Sequence, residues 1–132
     1  MEVVTQVHGY VLGFLVIGAW ATVCGWSLAL WRLRYTSTPT FWRVVSVAQV
    51  LLGIQLLLGL LLLATGARPG TGALGDLAFH LSYGAVFPLL TMFVGHGLAR
   101  AGRYQPHAVF AVVGLVNFGL ATRAWQVGAF GA

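Results

Sequence analysis

The feature that most constrains this chain is a set of four apolar stretches, which together occupy most of its 132 residues. A helix rises about 1.5 Å per residue, so about 20 apolar residues cross the hydrocarbon core of a bilayer. Each stretch has roughly that length: residues 7–31, 41–65, 77–98 and 107–127. The sequence therefore predicts an all-α fold, a polytopic membrane four-helix bundle that forms a single domain over residues 1–132.

Composition excludes the common soluble classes. The chain is 59% hydrophobic and only 7% charged, far from the usual balance of a soluble domain. We therefore expect the lipid bilayer to be a partner and nucleic acid not to be one, although the formal net charge is +5. The first stretch opens with Glu2 and continues too far for a signal peptide, so it is interpreted as a retained helix.

The arginines indicate how the helices are oriented. Two of the three predicted loops are rich in arginine, whereas the second loop has only Arg68, near Asp76. The arginines of the first and third loops are Arg32, Arg34, Arg43, Arg100 and Arg103. Cytoplasmic loops carry the excess of basic residues, so both termini are predicted to lie outside. We expect the membrane to be the bacterial inner (plasma) membrane.

Glycines within the first helix predict close packing. Gly9 and Gly13 form a GxxxG pair, and Gly18, Ala21 and Gly25 lie on one face. Small residues let neighbouring helices approach closely in a bilayer. We therefore expect the face of Gly18, Ala21 and Gly25 to pack against another helix.

The sequence offers little material for hydrolytic or acid–base catalysis. Its two acidic residues, Glu2 and Asp76, lie at the edges of the apolar stretches. No nucleophile stands beside a base in a recognisable motif. A redox subunit or a non-enzymatic role is the expectation that remains.

Four histidines are the candidate functional residues. His8 and His80 lie near the same end of the first and third helices, which are diagonal partners if the bundle runs in sequence order. Two imidazoles facing each other can hold a haem iron from both sides. Gly9 and Gly84 would leave room for a flat macrocycle, and Arg123 could pair with a propionate. The pattern predicts haem b, with His8 and His80 as the iron ligands.

His96 and His107 form a secondary candidate site near the opposite end. His80 and His96 are 16 residues apart, so in a regular helix their directions differ by about 160°. Two haems stacked along one helix face are therefore disfavoured.

The segment Phe79-His80-Leu81-Ser82-Tyr83-Gly84, together with the glycine-flanked His8, resembles the small four-helix membrane cytochromes of b type. Cytochrome b561 and the haem-binding half of haem A synthase belong to this group. The resemblance implies electron transfer or haem handling through paired histidines on inward faces. The two-haem histidine spacing of cytochrome b561 is missing here.

Two other classes of function stay open. A cofactor-free accessory or assembly subunit would use its glycine and leucine faces against other subunits of a respiratory or photosynthetic membrane complex. A small carrier or channel would need a polar path, and the amides available for it are Gln49, Gln55 and Asn117. The same amides could bond helices together or bind a quinone carbonyl.

Overall fold

The computed structural model describes residues 2–36 and 38–132. Within this range, four helices are long and apolar enough to span a membrane: α1 (Glu2–Arg32), α2 (Pro39–Ala64), α3 (Leu74–Arg100) and α4 (Pro106–Phe130). The predicted all-α fold, with four helices of the length and apolar character that a membrane span needs, is confirmed. The bounds differ most in α1, which already begins at Glu2.

Local sequence explains where two of the helices begin. At the start of α2, the Phe41 backbone N–H donates to Thr38 Oγ1 at 3.3 Å, and Pro39 occupies the first turn. Pro106 occupies the first turn of α4. Proline suits this position because the first N–H groups of a helix have no intrahelical acceptor.

The bundle has two ends. One end carries both chain termini and the loop between α2 and α3, and it is called the terminal end. The opposite end carries the connections that follow α1 and α3, and it is called the loop end.

Helices α1 and α4 form the central pair. A Cβ added at Gly114 would lie 2.6 Å from the Cys24 backbone nitrogen, so the two backbones touch there. The buried stripe of α1 follows helical spacing and consists of Gly13, Val16, Trp20, Val23 and Ser27. On α4, Phe110 and Asn117 are fully buried. Dense packing of α1 on α4 therefore organises the bundle.

The glycine face predicted for α1 packing is wrong. Gly18, Ala21 and Gly25 are exposed, and a Cβ added at Gly18 or Gly25 would meet no atom within 4 Å. The buried stripe lies on the other side of the helix. Lipid tails are as apolar as the bundle interior, so small size alone does not show which face meets protein.

Helices α2 and α3 flank the central pair on different sides. The core cluster joins α2 to α1 and α4 through Phe41, Val45, Ala48 and Leu52. Helix α3 leans on α4, where Gly84 lies against Ala124 and Gly95 lies against Val113. Consequently α1 and α3 are diagonal to each other, as the sequence order predicts.

Asp76 connects parts of the chain at the terminal end through hydrogen bonds. Its carboxylate accepts hydrogen bonds from the Thr71 backbone N–H at 2.7 Å, the Thr71 hydroxyl at 2.6 Å and the Ala132 backbone N–H at 2.8 Å. The Gly70 N–H donates to the Gly128 carbonyl at 2.9 Å, and Gly70 has φ of 59°, a conformation that favours glycine. These bonds tie the second loop to both α3 and α4.

We predict that Gly114→Leu destabilises the bundle, whereas Gly18→Leu does not. A side chain at position 114 would collide with the Cys24 backbone, and overpacking costs about 1–3 kcal/mol or more. Position 18 opens onto the bilayer. Thermal melting of the purified variants in detergent checks this difference, and equal Tm values would contradict the proposed α1–α4 contact.

Candidate functional site

The terminal half of the bundle encloses a cavity of about 460 Å³. All four helices line it, with His8 from α1, Gln55 from α2, His80 from α3 and Asn117 from α4. Its walls are mainly apolar, with a small number of polar groups. This combination, and a volume within the range of about 300–1,000 Å³, is typical of small-molecule and cofactor sites.

The two histidines predicted as a pair meet in this cavity. The ring centroids of His8 and His80 are 6.2 Å apart, and the ring planes are tilted by 58°. Both side chains are half-buried. The diagonal placement of α1 and α3 therefore brings the two imidazoles close together across the bundle.

His80 is held in one tautomer by α4. Its Nδ1 lies 2.9 Å from the Ala124 carbonyl oxygen, and a carbonyl only accepts, so Nδ1 carries the proton. In a neutral imidazole the other nitrogen, Nε2, then keeps its lone pair. Gly128 makes this position possible, because a Cβ there would be 3.0 Å from His80 Cε1.

His8 is positioned by α2. A Cβ added at Gly59 would lie 3.0 Å from His8 Cε1, so the missing side chain provides the space for the ring. The Gln55 side-chain amide donates to the His8 backbone carbonyl at 2.9 Å. His8 Nδ1 is buried and has no hydrogen-bond partner within the described residues. The imidazole ring of each histidine thus packs against a glycine of a neighbouring helix.

The helices depart from α geometry beside both histidines. A π-helical segment covers Val7–Leu12 and includes His8, and a second one covers Ser82–Val86, beginning two residues after His80. The second segment precedes Pro88, which has no N–H to continue the α pattern. Short π segments occur often at functional sites. In the described chain, both of them lie at the level of the cavity.

The π segment of α3 also corrects the angle expected between His80 and His96. A π bulge inserts about one extra residue, so 16 residues act as about 15 and the angular difference falls from about 160° to about 60°. Accordingly, His80 bonds Ala124 on α4, and His96 packs on Phe110 of the same helix. The prediction assumed an unbroken α-helix, and that assumption is wrong.

His96 and His107 belong to an aromatic cluster near the loop end. His96 stacks on Trp42 with centroids 6.2 Å apart, and its Nε2 lies 2.6 Å from the Gln49 amide nitrogen, which donates to it. His107 packs edge-on against Phe41 at 4.6 Å. Its Nε2 is buried without a partner within residues 2–36 and 38–132. The two histidines make separate contacts and do not line a common cavity.

Of the other predicted site residues, the two glycines line the cavity and the arginine does not. Gly9 and Gly84 both line the cavity. A Cβ at Gly9 would meet nothing within 4 Å, whereas one at Gly84 would lie 3.4 Å from Ala124 Cβ. Arg123 is exposed, and its Nη1 lies 3.5 Å from Gln126 Oε1. Arg123 is not among the residues that line the cavity.

Sequence reasoning missed Arg68 as a cavity residue. Arg68 lines the cavity from the loop that follows α2, although its side chain is largely exposed. The sequence feature that could have indicated this role is the predicted position of Arg68 on the same side of the membrane as His8 and His80. As the lone arginine of a loop, it was used only to assign topology.

The three amides do not form one polar path. Gln55 and Asn117 line the cavity, whereas Gln49 bonds His96 in the aromatic cluster. Both amide atoms of Asn117 are buried without a hydrogen-bond partner in the described part of the chain. The polar character of the cavity therefore comes from separate groups placed in apolar walls.

Among the described residues, no group of three or more His, Cys, Asp or Glu side chains is arranged to hold a metal ion. The cavity instead offers a pair of imidazoles. Comparison of the chain with family models, curated proteins and solved structures finds no match.

We predict that Gly59→Leu displaces the His8 imidazole, because a Cβ at this position already crowds the ring. The strain should lower stability by about 1–3 kcal/mol and shift the His8 imidazole signals in nitrogen-15 NMR. Gly53→Leu is the matched control on the same helix, since a Cβ there meets nothing within 4 Å. Equal spectra for the two variants would contradict the Gly59–His8 contact.

Proposed function

We propose that this chain is an integral membrane protein that binds haem b between His8 and His80 and serves in electron transfer. The observation that carries the proposal is the 6.2 Å spacing of the two imidazoles within one cavity. Imidazoles on opposite sides of one metal have centroids about 6 Å apart, because a metal–nitrogen bond is about 2 Å and each nitrogen lies about 1 Å from its ring centre.

The residues around the histidines fit a haem ligand set. The bond from His80 Nδ1–H to the Ala124 carbonyl leaves Nε2 as the ligating atom, and such a bond orients the ring and raises its basicity. Gly59 and Gly128 give the rings their space. The apolar walls suit a macrocycle, and Arg68 at the cavity edge supplies a positive charge that suits a propionate.

A bound haem b would accept and release a single electron. The chain would hold it through the two imidazoles, exclude water with apolar walls and tune its potential through the polar and charged neighbours. In the proposed site, Arg68 takes the role that sequence reasoning gave to Arg123, because Arg68 lines the cavity and Arg123 does not.

The main prediction is a reduced-minus-oxidised optical spectrum of six-coordinate haem b in protein purified from haem-sufficient cells. His8→Ala and His80→Ala should each abolish this spectrum, because one imidazole cannot fill both axial positions. His107→Ala is the matched control, since His107 lies in the separate aromatic cluster. Absence of a Soret band, or its survival unchanged in His80→Ala, would sink the proposal.

The same purified protein can be used to test which of the two arginines lies near the proposed haem. Arg68→Gln should lower the midpoint potential, because loss of a nearby positive charge disfavours the reduced haem. Arg123→Gln should have the smaller effect. Colourless protein that co-purifies with a large membrane complex would favour the accessory-subunit function instead.

We also propose that both termini lie outside the bacterial inner membrane. Support comes from the arginines, which cluster around the connections at the loop end, while the terminal end has few. Reporter fusions at Tyr104 and at the C-terminus should report opposite sides, cytoplasmic for Tyr104 and external for the C-terminus. The reverse assignment, or the same side for both fusions, would contradict this topology.

A further inference from the structure

The cavity opens sideways toward the bilayer between α2 and α3. Leu60 of α2 and Leu81 and Leu89 of α3 line the cavity, yet they are 58%, 37% and 47% exposed. Side chains of cavity walls that are also exposed mark the rim of an opening. A membrane surrounds this face, so the opening leads into hydrocarbon, and a ligand that enters here must be soluble in lipid.

Nearer the bundle centre, the cavity reaches two polar side chains that have no partner. Trp20 and Asn117 are both 0% exposed and both line the cavity. Trp20 Nε1, Asn117 Nδ2 and Asn117 Oδ1 make no hydrogen bond to any other described residue. Buried polar groups in folded proteins almost always have a partner. Because both side chains border one cavity, these three unpartnered atoms point to a ligand.

Trp20 and Asn117 lie at a similar depth on adjacent helices. Gly114 of α4 touches the Cys24 backbone of α1, which aligns the two antiparallel helices. From this contact toward the terminal end, Asn117 is three residues along α4 and Trp20 is four residues along α1. These steps correspond to about 4.5 Å and 6 Å of rise. The two side chains therefore border the cavity at a similar depth, and we call them together the Trp20–Asn117 patch.

The patch is separate from the histidine pair. Among the described residues, the other buried side-chain atoms without a partner that belong to cavity-lining residues are His8 Nδ1 and Gln55 Oε1. Gln55 reaches the His8 carbonyl, so both atoms belong to the histidine end. The Trp20–Asn117 patch thus requires its own explanation.

The chemistry of the patch selects a carbonyl oxygen. An indole N–H only donates, and an asparagine amide nitrogen also donates. Together they offer two N–H donors to one acceptor atom within apolar walls. Asn117 Oδ1 remains available for a hydroxyl group. A ligand that meets these conditions and enters through hydrocarbon carries a carbonyl oxygen on an apolar body.

We propose that the Trp20–Asn117 patch binds the head group of an isoprenoid quinone, whose tail leaves the cavity between α2 and α3. The choice of a quinone among apolar carbonyl compounds rests on the proposed function, because an electron-carrying haem needs a redox partner. Binding at the patch rests on the unpartnered donors and on the lateral opening.

The test uses a short-chain quinone with carbon-13 at its ring carbonyls and the full chain in detergent, measured by infrared difference spectroscopy. A hydrogen-bonded carbonyl absorbs at lower frequency than a free one, so binding should give a downshifted, isotope-sensitive band. Trp20→Phe and Asn117→Leu should each reduce this shift, because one of the two donors is lost, and should weaken binding by about tenfold, the equivalent of one lost hydrogen bond.

Trp26→Phe is the matched control. Trp26 lies on the same helix, is 46% exposed and does not line the cavity, so its replacement should leave affinity and band position unchanged. Trp20→Phe removes the donor and keeps an aromatic ring, so it tests the patch even if Asn117→Leu fails to fold.

An unshifted carbonyl band, or wild-type affinity in Trp20→Phe, would overturn the inference and leave water as the partner of these atoms. The haem spectrum of the same samples separates the two proposals. A Soret band without a shifted carbonyl removes the quinone site and leaves the haem. A shifted carbonyl without a Soret band removes the haem and leaves the patch as a quinone-binding site.

Discussion

The close approach of α1 and α4 at Gly114 is the contact on which the rest of the structure depends. With no side chain at this position, the Cys24 backbone lies against α4, and two long helices pack along much of their length. In a bilayer, where burial of apolar surface gives little net driving force, such close van der Waals packing holds helices together. Helices α2 and α3 then lean on this central pair from different sides, and the space left between them is the cavity.

Length and hydropathy were sufficient to predict the spanning helices, because crossing hydrocarbon demands internally hydrogen-bonded segments of about 20 apolar residues. The diagonal relation of α1 and α3 followed from sequence order and short loops. The choice of the packed face of α1 failed for a physical reason. Gly18 and Gly25 are small, but a small residue can lie against lipid as well as against a neighbouring helix. The buried stripe of α1 instead includes the large side chain of Trp20.

The site was predictable in part. The shared depth of His8 and His80 indicated that they could meet, but the glycines that support them, Gly59 and Gly128, lie on other helices. No local pattern connects such residues to the histidines. The π segments likewise depend on packing between helices and, in α3, on the nearby Pro88. A prediction based on 3.6 residues per turn therefore gave the wrong direction for His96 relative to His80.

The division of the site among the helices has a consequence for how the protein is made. The first hairpin, α1 with α2, contains His8 and both of its supports on α2, Gly59 and Gln55. His80 is made later and gains its hydrogen bond to Ala124 only when α4 is in place. A nascent chain therefore carries one supported histidine and one unsupported histidine until α4 has been inserted. A ligand that needs both histidines would consequently bind only after α4 has joined the bundle.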